Sequence, residues 1–159
     1  MMFSYRLVRL IETHADALAA GLERKVMASE SLSAFRSIPS HELRERVYEI
    51  YRHLGGWLLG ESPAQIEQRY REIGARRAEQ KVPLAEVIQV IILTKENLWE
   101  FLKSEAVAER AIEIMGELEL LQMLGRFFDH AIYFAALGYQ EKVEQLQAQQ
   151  QEAWQAGLK

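Results

Sequence analysis

Apolar residues recur every three or four positions along most of the chain, which is the spacing of one face of an α-helix. The clearest run follows Val82-Pro83 and is apolar at every stripe position except Lys95. Its stripe positions are Leu84, Val87, Ile88, Ile91, Ile92, Lys95, Leu98, Trp99 and Leu102. Pro83 lacks an N–H and disfavours the α region at Val82, so a new helix is predicted to begin there. So wide a stripe predicts a helix buried on most sides, with the other helices arranged around it.

The same periodicity predicts four further main helices. Ser4 is the predicted N-cap of the first, and Ser40 is predicted to cap a helix over residues 41–59, HELRERVYEIYRHLGGWLL. Ser62-Pro63-Ala64-Gln65 combines a capping serine, a first-turn proline and a glutamine three residues after the cap, which is typical of a helix start. After a short break from Ser104 to Ala108, a long last helix is predicted almost to the C-terminus.

The last helix changes character after Gly138. Its apolar positions then step by four and three, the spacing of a coiled-coil seam, at Ile132, Ala136, Tyr139, Val143 and Leu146. The surrounding residues 140–155, QEKVEQLQAQQQEAWQ, are polar, and a helix this polar is not stable alone in water. We therefore predict a globular helical domain over residues 1–138. Residues 139–159 are predicted to be a coiled-coil-like extension of the last helix that meets another chain, and a frayed tail is the alternative.

Composition supports one soluble all-α domain. A chain of 159 residues can bury a core, and 49% hydrophobic with 26% charged residues is usual for globular proteins. The formal charge of −4 argues against a nucleic-acid partner, since such domains carry a basic face. No run reaches the roughly 18 apolar residues of a membrane helix. The N-terminus does not read as a secretory signal, and the absence of cysteine suits the cytoplasm.

No catalytic or metal-binding pattern can be assembled from the sequence. The four histidines are His14, His41, His53 and His130. None has the His-x-x-x-His or Glu-x-x-His spacing of a metal site, and glycine-rich phosphate loops are missing. We therefore predict a protein without enzymatic activity or cofactor. His130 is the strongest position for a haem ligand, because Phe127 and Phe134 flank it at minus three and plus four. A small-ligand or haem-binding globin is the alternative function.

The helix that begins after Ser62 is rich in arginine. Its arginines, Arg69, Arg71, Arg76 and Arg77, alternate with Glu67, Glu72 and Glu79. An anion-binding site is one interpretation of this pattern. Because acidic residues are interleaved, we favour a solvated helix whose charges pair with one another.

Two segments resemble a known bacterial family. Residues 70–87, YREIGARRAEQKVPLAEV, and the run Leu98-Trp99-Glu100-Phe101-Leu102 are similar to the N-terminal domains of RsbRD-type stressosome co-antagonists. The order of helices agrees with that family across nearly the whole chain. So does a long last helix that passes Phe127-Phe128 and Tyr139 before a polar exit.

The resemblance implies a cytoplasmic, non-enzymatic sensory or regulatory signalling domain that forms a homodimer. Such domains precede an output module, such as a STAS or kinase domain. From the charge and the absence of a long apolar run we expect neither a nucleic-acid nor a membrane partner. The implied fold is globin-like without haem, with about five main helices and a long C-terminal helix; an antiparallel helical bundle is the alternative. The resemblance supplies no ligand residues. We expect the seam residues to form the dimer and signalling contact, and no output module is recognisable within these 159 residues.

Overall fold

A computed structural model describes residues 9–58, 60, 62–104 and 111–158, and within those ranges the chain forms helices and turns without a strand. The helices are α1 (Ala15–Ala28), α2 (Ser33–Arg36), α3 (Ser40–Leu58), α4 (Pro63–Glu79), α5 (Leu84–Ser104) and α6 (Ala111–Gly157). Residues 9–13 are also helical and lead through a turn at His14 into α1. A 3₁₀ turn, Glu30–Leu32, precedes α2. The predicted all-α class with a long last helix is confirmed.

Most helix boundaries follow the start signals in the sequence. Pro63 is the first residue of α4, directly after Ser62, and α5 begins at Leu84 directly after Val82-Pro83. Ser62 acts through its backbone, because its carbonyl accepts from the Gln65 N–H at 3.2 Å while its side chain makes no cap bond. The predicted cap at Ser4 and the break at 105–108 lie outside the described residues.

The buried face of α5 is turned slightly from the predicted stripe. Val90 and Thr94 are buried, whereas Ile88, Ile92 and Trp99, which the stripe includes, are half-buried. The helix packs against α1, α6 and α4, as expected for a helix near the centre of the domain. Its inner face therefore contains polar positions that a hydrophobic pattern does not reveal.

Asn97 on that inner face links three helices. Its amide nitrogen donates to the Leu18 carbonyl of α1 at 2.9 Å and to the Tyr51 hydroxyl of α3 at 3.0 Å. Its oxygen accepts from the Lys25 ammonium at 2.8 Å, and the Tyr51 hydroxyl donates to the Thr94 carbonyl at 3.4 Å. Because buried polar groups are costly without partners, this network fixes the register of α1, α3 and α5.

The most extensive helix pairing joins α4 and α6. The ring of Tyr70 lies beside that of Phe127, and farther along both helices Glu79 lies beside Lys142. The two helices therefore run in the same direction. No helix in the described ranges is both long and apolar enough to cross a membrane.

Candidate functional site

The C-terminal half of α4 and the turn after it hold the point where α6 leaves the globule. We call this contact the exit clamp. It consists of Arg71, Gly74, Glu79 and Val82 on one side and Gly138, Tyr139, Glu141 and Lys142 of α6 on the other. The four residues on the α4 side lie within the family-like segment 70–87, so that segment directly contacts the last helix.

Two glycines let the helix backbones touch. A Cβ placed at Gly74 would lie 1.9 Å from the carbonyl oxygen of Ala135, and one at Gly138 would lie 2.1 Å from that of Arg71. Carbon and oxygen cannot approach so closely, and the atoms in the way belong to backbone rather than to flexible side chains. Any residue larger than glycine would therefore push α4 and α6 apart.

Tyr139 ties α6 to the turn between α4 and α5. Its hydroxyl donates to the Val82 carbonyl at 2.5 Å, one residue before Pro83. Val82 itself is buried. A movement of this turn would therefore directly displace the segment of α6 around Tyr139.

The turn that presents Val82 has a defined geometry. The Lys81 N–H donates to the Ala78 carbonyl at 3.0 Å, and the Val82 N–H donates to the Arg77 carbonyl at 3.1 Å. These are the two bonds of a Schellman motif, which places its C′ residue in the left-handed region. Lys81 occupies that position with φ of 59°, where glycine is the usual residue.

Two ion pairs complete the clamp. The Arg71 guanidinium lies 3.2 Å from the Glu141 carboxylate, and the Lys142 ammonium lies 3.0 Å from that of Glu79. These groups are partly exposed, so each pair contributes little to stability. Their effect is to orient α6 about the glycine contact.

A second network anchors the end of α4 to α3. Arg77 is 2% exposed, lies 5.3 Å from the centre of the Phe35 ring and donates to the Gln80 side-chain oxygen at 2.6 Å. Gln80 and Arg76 donate to one oxygen of Glu42, at 2.9 and 3.3 Å. Burial pushes the pKa of Glu42 upward. The hydrogen bonds from Arg76 and Gln80 and the charges of Arg76 and Arg77 outweigh it and hold the pKa below its usual value.

Glu86 gives the family-like segment a third contact. One of its carboxylate oxygens accepts from the backbone N–H groups of Ala34 and Phe35, at 3.0 and 3.4 Å. These N–H groups open the short helix α2, where a negative charge is favourable. The segment thus touches α2, α3 and α6 at once.

The charge pairs predicted along α4 are confirmed for Arg69, Arg71 and Arg76, which lie 3.6, 3.0 and 3.9 Å from Glu72, Glu67 and Glu79. The interpretation of α4 as solvated is wrong for Arg77, which is buried. Its ring contact with Phe35 and its bonded partners make burial of the charge tolerable.

The seam residues differ in exposure. Ile132 and Tyr139 are half-buried and pack against the chain's own core, and Ala136 and Val143 are also half-buried. Leu146 is 37% exposed and Trp154, farther along, is 67% exposed. Pairing of this seam with a second copy stays a prediction.

His130 lies on the exposed side of α6. Its ring is stacked on Phe134 with centres 5.9 Å apart and lies 5.9 Å from the ring of Trp57. Haem ligation by His130 stays a hypothesis from the sequence. Among the described residues, no group of three or more histidine, aspartate or glutamate side chains could hold a metal ion.

The hydrophobic pattern alone did not identify the glycines and polar residues of these contacts. One signal was available, because glycine inside a helix costs about 1 kcal/mol relative to alanine and therefore often marks close packing. Gly74 and Gly138 both lie inside long helices. For Arg77 and Glu86 the only signal was their place in the family-like segment.

Comparison with known proteins supports the family resemblance that segment 70–87 carries. The family model of the RsbT co-antagonist protein rsbRD N-terminal domain matches residues 9–154. Neither a curated protein nor a solved structure matches the chain.

Proposed function

The chain belongs to the family of RsbT co-antagonist protein rsbRD N-terminal domains, a family of stressosome-related signalling domains, and we propose that it senses a signal and relays it through its last helix. In this proposal the domain is cytoplasmic, has no enzymatic activity, and acts as a homodimer. Its output partner is a STAS, kinase or other regulatory module rather than nucleic acid or a membrane.

The observation that carries the proposal is the exit clamp. The segment most typical of the family meets α6 at the place where that helix leaves the globule. Beyond Lys142 the helix continues, exposed, to Gly157, and at about 1.5 Å per residue this adds roughly 20 Å. The last helix is therefore both held by the sensing globule and long enough to reach a partner.

The relay follows from the stiffness of the clamp. Backbones in contact at Gly74 and Gly138 cannot compress further, so a shift of α4 must shift α6. Because α4 is also bonded to α3 through Glu42, a rearrangement of α3 reaches the exit helix through two short contacts. Small shifts between packed helices are a common form of protein switch.

Dimerisation is supported by the surface of the extension. Leu146 is exposed and Val143 is half-buried on a helix whose other residues there are mostly polar, and such a helix needs a partner to be stable. The seam spacing fits a second, parallel copy of the same helix.

Oligomeric mass in solution tests this proposal. Wild-type protein is expected at twice 18.4 kDa in sedimentation equilibrium, whereas Val143→Glu combined with Leu146→Glu is expected to be monomeric at the same concentration. The control, Gln145→Glu with Ala148→Glu, adds the same charges at exposed positions on the opposite face of the helix and should remain a dimer. A monomeric wild type, or a dimer that survives the seam substitutions, would contradict the proposal.

A further inference from the structure

A cleft between the first helical turns and α3 is not used by the exit clamp. It has a volume of about 300 Å³ and is lined by Ile11, Glu12, Ala15, Tyr48 and Tyr51. That volume is at the lower end of the range for small-molecule sites in proteins. Ile11, Ala15 and Tyr51 are buried and form its floor, while Tyr48, 47% exposed, lies at its rim.

The chemistry of the lining is specific. Glu12 is the one carboxylate among the described residues that line the cleft, and it lies on the exposed side. The Tyr51 hydroxyl is already bonded to Asn97 and Thr94, so Tyr51 offers the cleft its ring rather than its polar end. Tyr48 and Glu12 are the accessible side chains of the lining, and an aromatic ring face and a carboxylate both attract an organic cation, the ring through its negative face and the carboxylate through its charge.

We propose that this cleft binds a small organic cation, an ammonium group on a compact apolar body, and that this is the ligand sensed by the domain. The inference rests on the proposed sensory function. The ammonium lies between Glu12 and the face of Tyr48, and the apolar body lies on Ile11, Ala15 and the Tyr51 ring.

The cleft is also connected to the rest of the molecule. Tyr51 belongs to the Asn97 network that fixes α1, α3 and α5. The same helix α3 carries Glu42, which binds Arg76 and Gln80 beside the exit clamp. A ligand that tilts α3 would thereby act on α4.

Titration of the full chain with 2-phenylethylammonium, followed by amide chemical shifts in NMR, tests the site. We expect saturable shifts at Ile11, Ala15, Tyr48 and Tyr51, weaker binding of neutral 2-phenylethanol, and no binding of 3-phenylpropanoate. Glu12→Gln should weaken ammonium binding about fivefold, as expected for a partly exposed charged contact. Glu30→Gln, a charge removal outside the cleft, should leave the affinity unchanged.

Two substitutions separate binding from folding. Ala15→Phe should fill the cleft and abolish binding of both phenylethyl probes. Tyr48→Leu, at the exposed rim, should leave the fold intact and reduce the preference for ammonium over alcohol. Absence of saturable binding, equal affinity for ammonium and alcohol, or an unchanged affinity in Glu12→Gln would overturn the inference. The NMR titration measures chemical shifts at the cleft, whereas sedimentation equilibrium measures the mass of the dimer. Each proposal can therefore fail without the other.

Discussion

The hydroxyl of Tyr70 is buried where α4 packs on α6, and it has no hydrogen-bond partner among the residues that the structure describes. Its ring meets the edge of Phe127 with centres 5.8 Å apart. Burial raises the pKa of Tyr70 far above its usual value, because the charged form would lose its hydration. A buried hydroxyl without a partner costs roughly 1–3 kcal/mol.

Tyr70→Phe is therefore expected to raise the free energy of unfolding, by about 1 kcal/mol, because it removes the unpaired group and keeps the ring. Tyr139→Phe is the matched control and should lower that free energy by about 1 kcal/mol, because its hydroxyl is bonded to Val82. Urea denaturation of both variants measures the effect. A loss of stability in Tyr70→Phe would mean that its hydroxyl is satisfied after all.

Glu42 gives the protein a defined response to acid. Its folded pKa is held below the usual value of 4.5, so its contribution to stability is fully present above that pH and is lost as pH falls through the folded pKa. Glu42→Gln should lower the free energy of unfolding by roughly 1–3 kcal/mol at neutral pH, since Arg76 and Arg77 each lose one charged partner.

The deficit of Glu42→Gln should shrink as the pH falls through the lowered folded pKa of Glu42, because the wild-type carboxyl then becomes neutral as well. Urea denaturation of wild type and variant over this range measures it. Glu144→Gln, on the exposed extension, serves as a control and should differ little from wild type at any pH. A deficit that stayed constant down to low pH would show that the ionised carboxylate is not what stabilises this contact.

At the residue scale, sequence predicted apolar burial better than polar burial. Leu98 and Val87 are buried as the periodicity indicated. Asn97 and Arg77 are also buried, because partners on other helices compensate them, Leu18 and Tyr51 for Asn97 and Glu42 and Phe35 for Arg77. Those partners lie far away in the sequence, so no local sequence pattern predicts the burial of Asn97 and Arg77.

At the element scale, the crossing of α4 and α6 depends on its glycines. Gly74→Ala should lower the free energy of unfolding by roughly 3 kcal/mol or more, because a methyl group there meets backbone that cannot move aside. Gly125→Ala is the matched control in α6. No atom in the described part of the chain lies within 4 Å of a Cβ placed there, so this change should stabilise by about 0.5–1 kcal/mol.

Thermal or urea unfolding of the two alanine variants distinguishes these effects. If Gly74→Ala were as stable as wild type, the two backbones could not be in contact. If both variants lost stability equally, the cost would come from helix geometry in general rather than from the crossing.

The helices themselves were largely predictable, but their pairing was not. Pro63 and Pro83 marked helix starts correctly, because proline at a first position needs no hydrogen-bond partner. The Schellman turn at Lys81 was not predictable in the same way, because lysine rarely adopts a positive φ. It is held there by the buried Val82 and by the bonds on either side of it.

At the scale of the whole molecule, the polar contacts link the helices through α3 and the C-terminal half of α4. The Asn97 network holds α1, α3 and α5, and the Glu42 network joins α3 to α4. The exit clamp then joins α4 to α6. The all-α class and the long last helix followed from periodicity, while the globin-like arrangement came from family resemblance and stays a prediction.

The central claim is that the exit clamp fixes the direction in which the last helix leaves the globule. Pulsed electron spin resonance tests it most directly, because the chain has no cysteine and two can be introduced for nitroxide labels, Gln65→Cys in α4 and Gln149→Cys in the extension. Labelled chains are diluted with unlabelled protein so that distances within one chain dominate.

We predict a narrow distance distribution between these labels. It should broaden when the polar contacts of the clamp are removed by Tyr139→Phe, Glu141→Gln and Lys142→Gln together, and stay narrow in Gly125→Ala. A distribution that is already broad with the clamp intact, or one that is unchanged by its removal, would show that the last helix is not held at this junction.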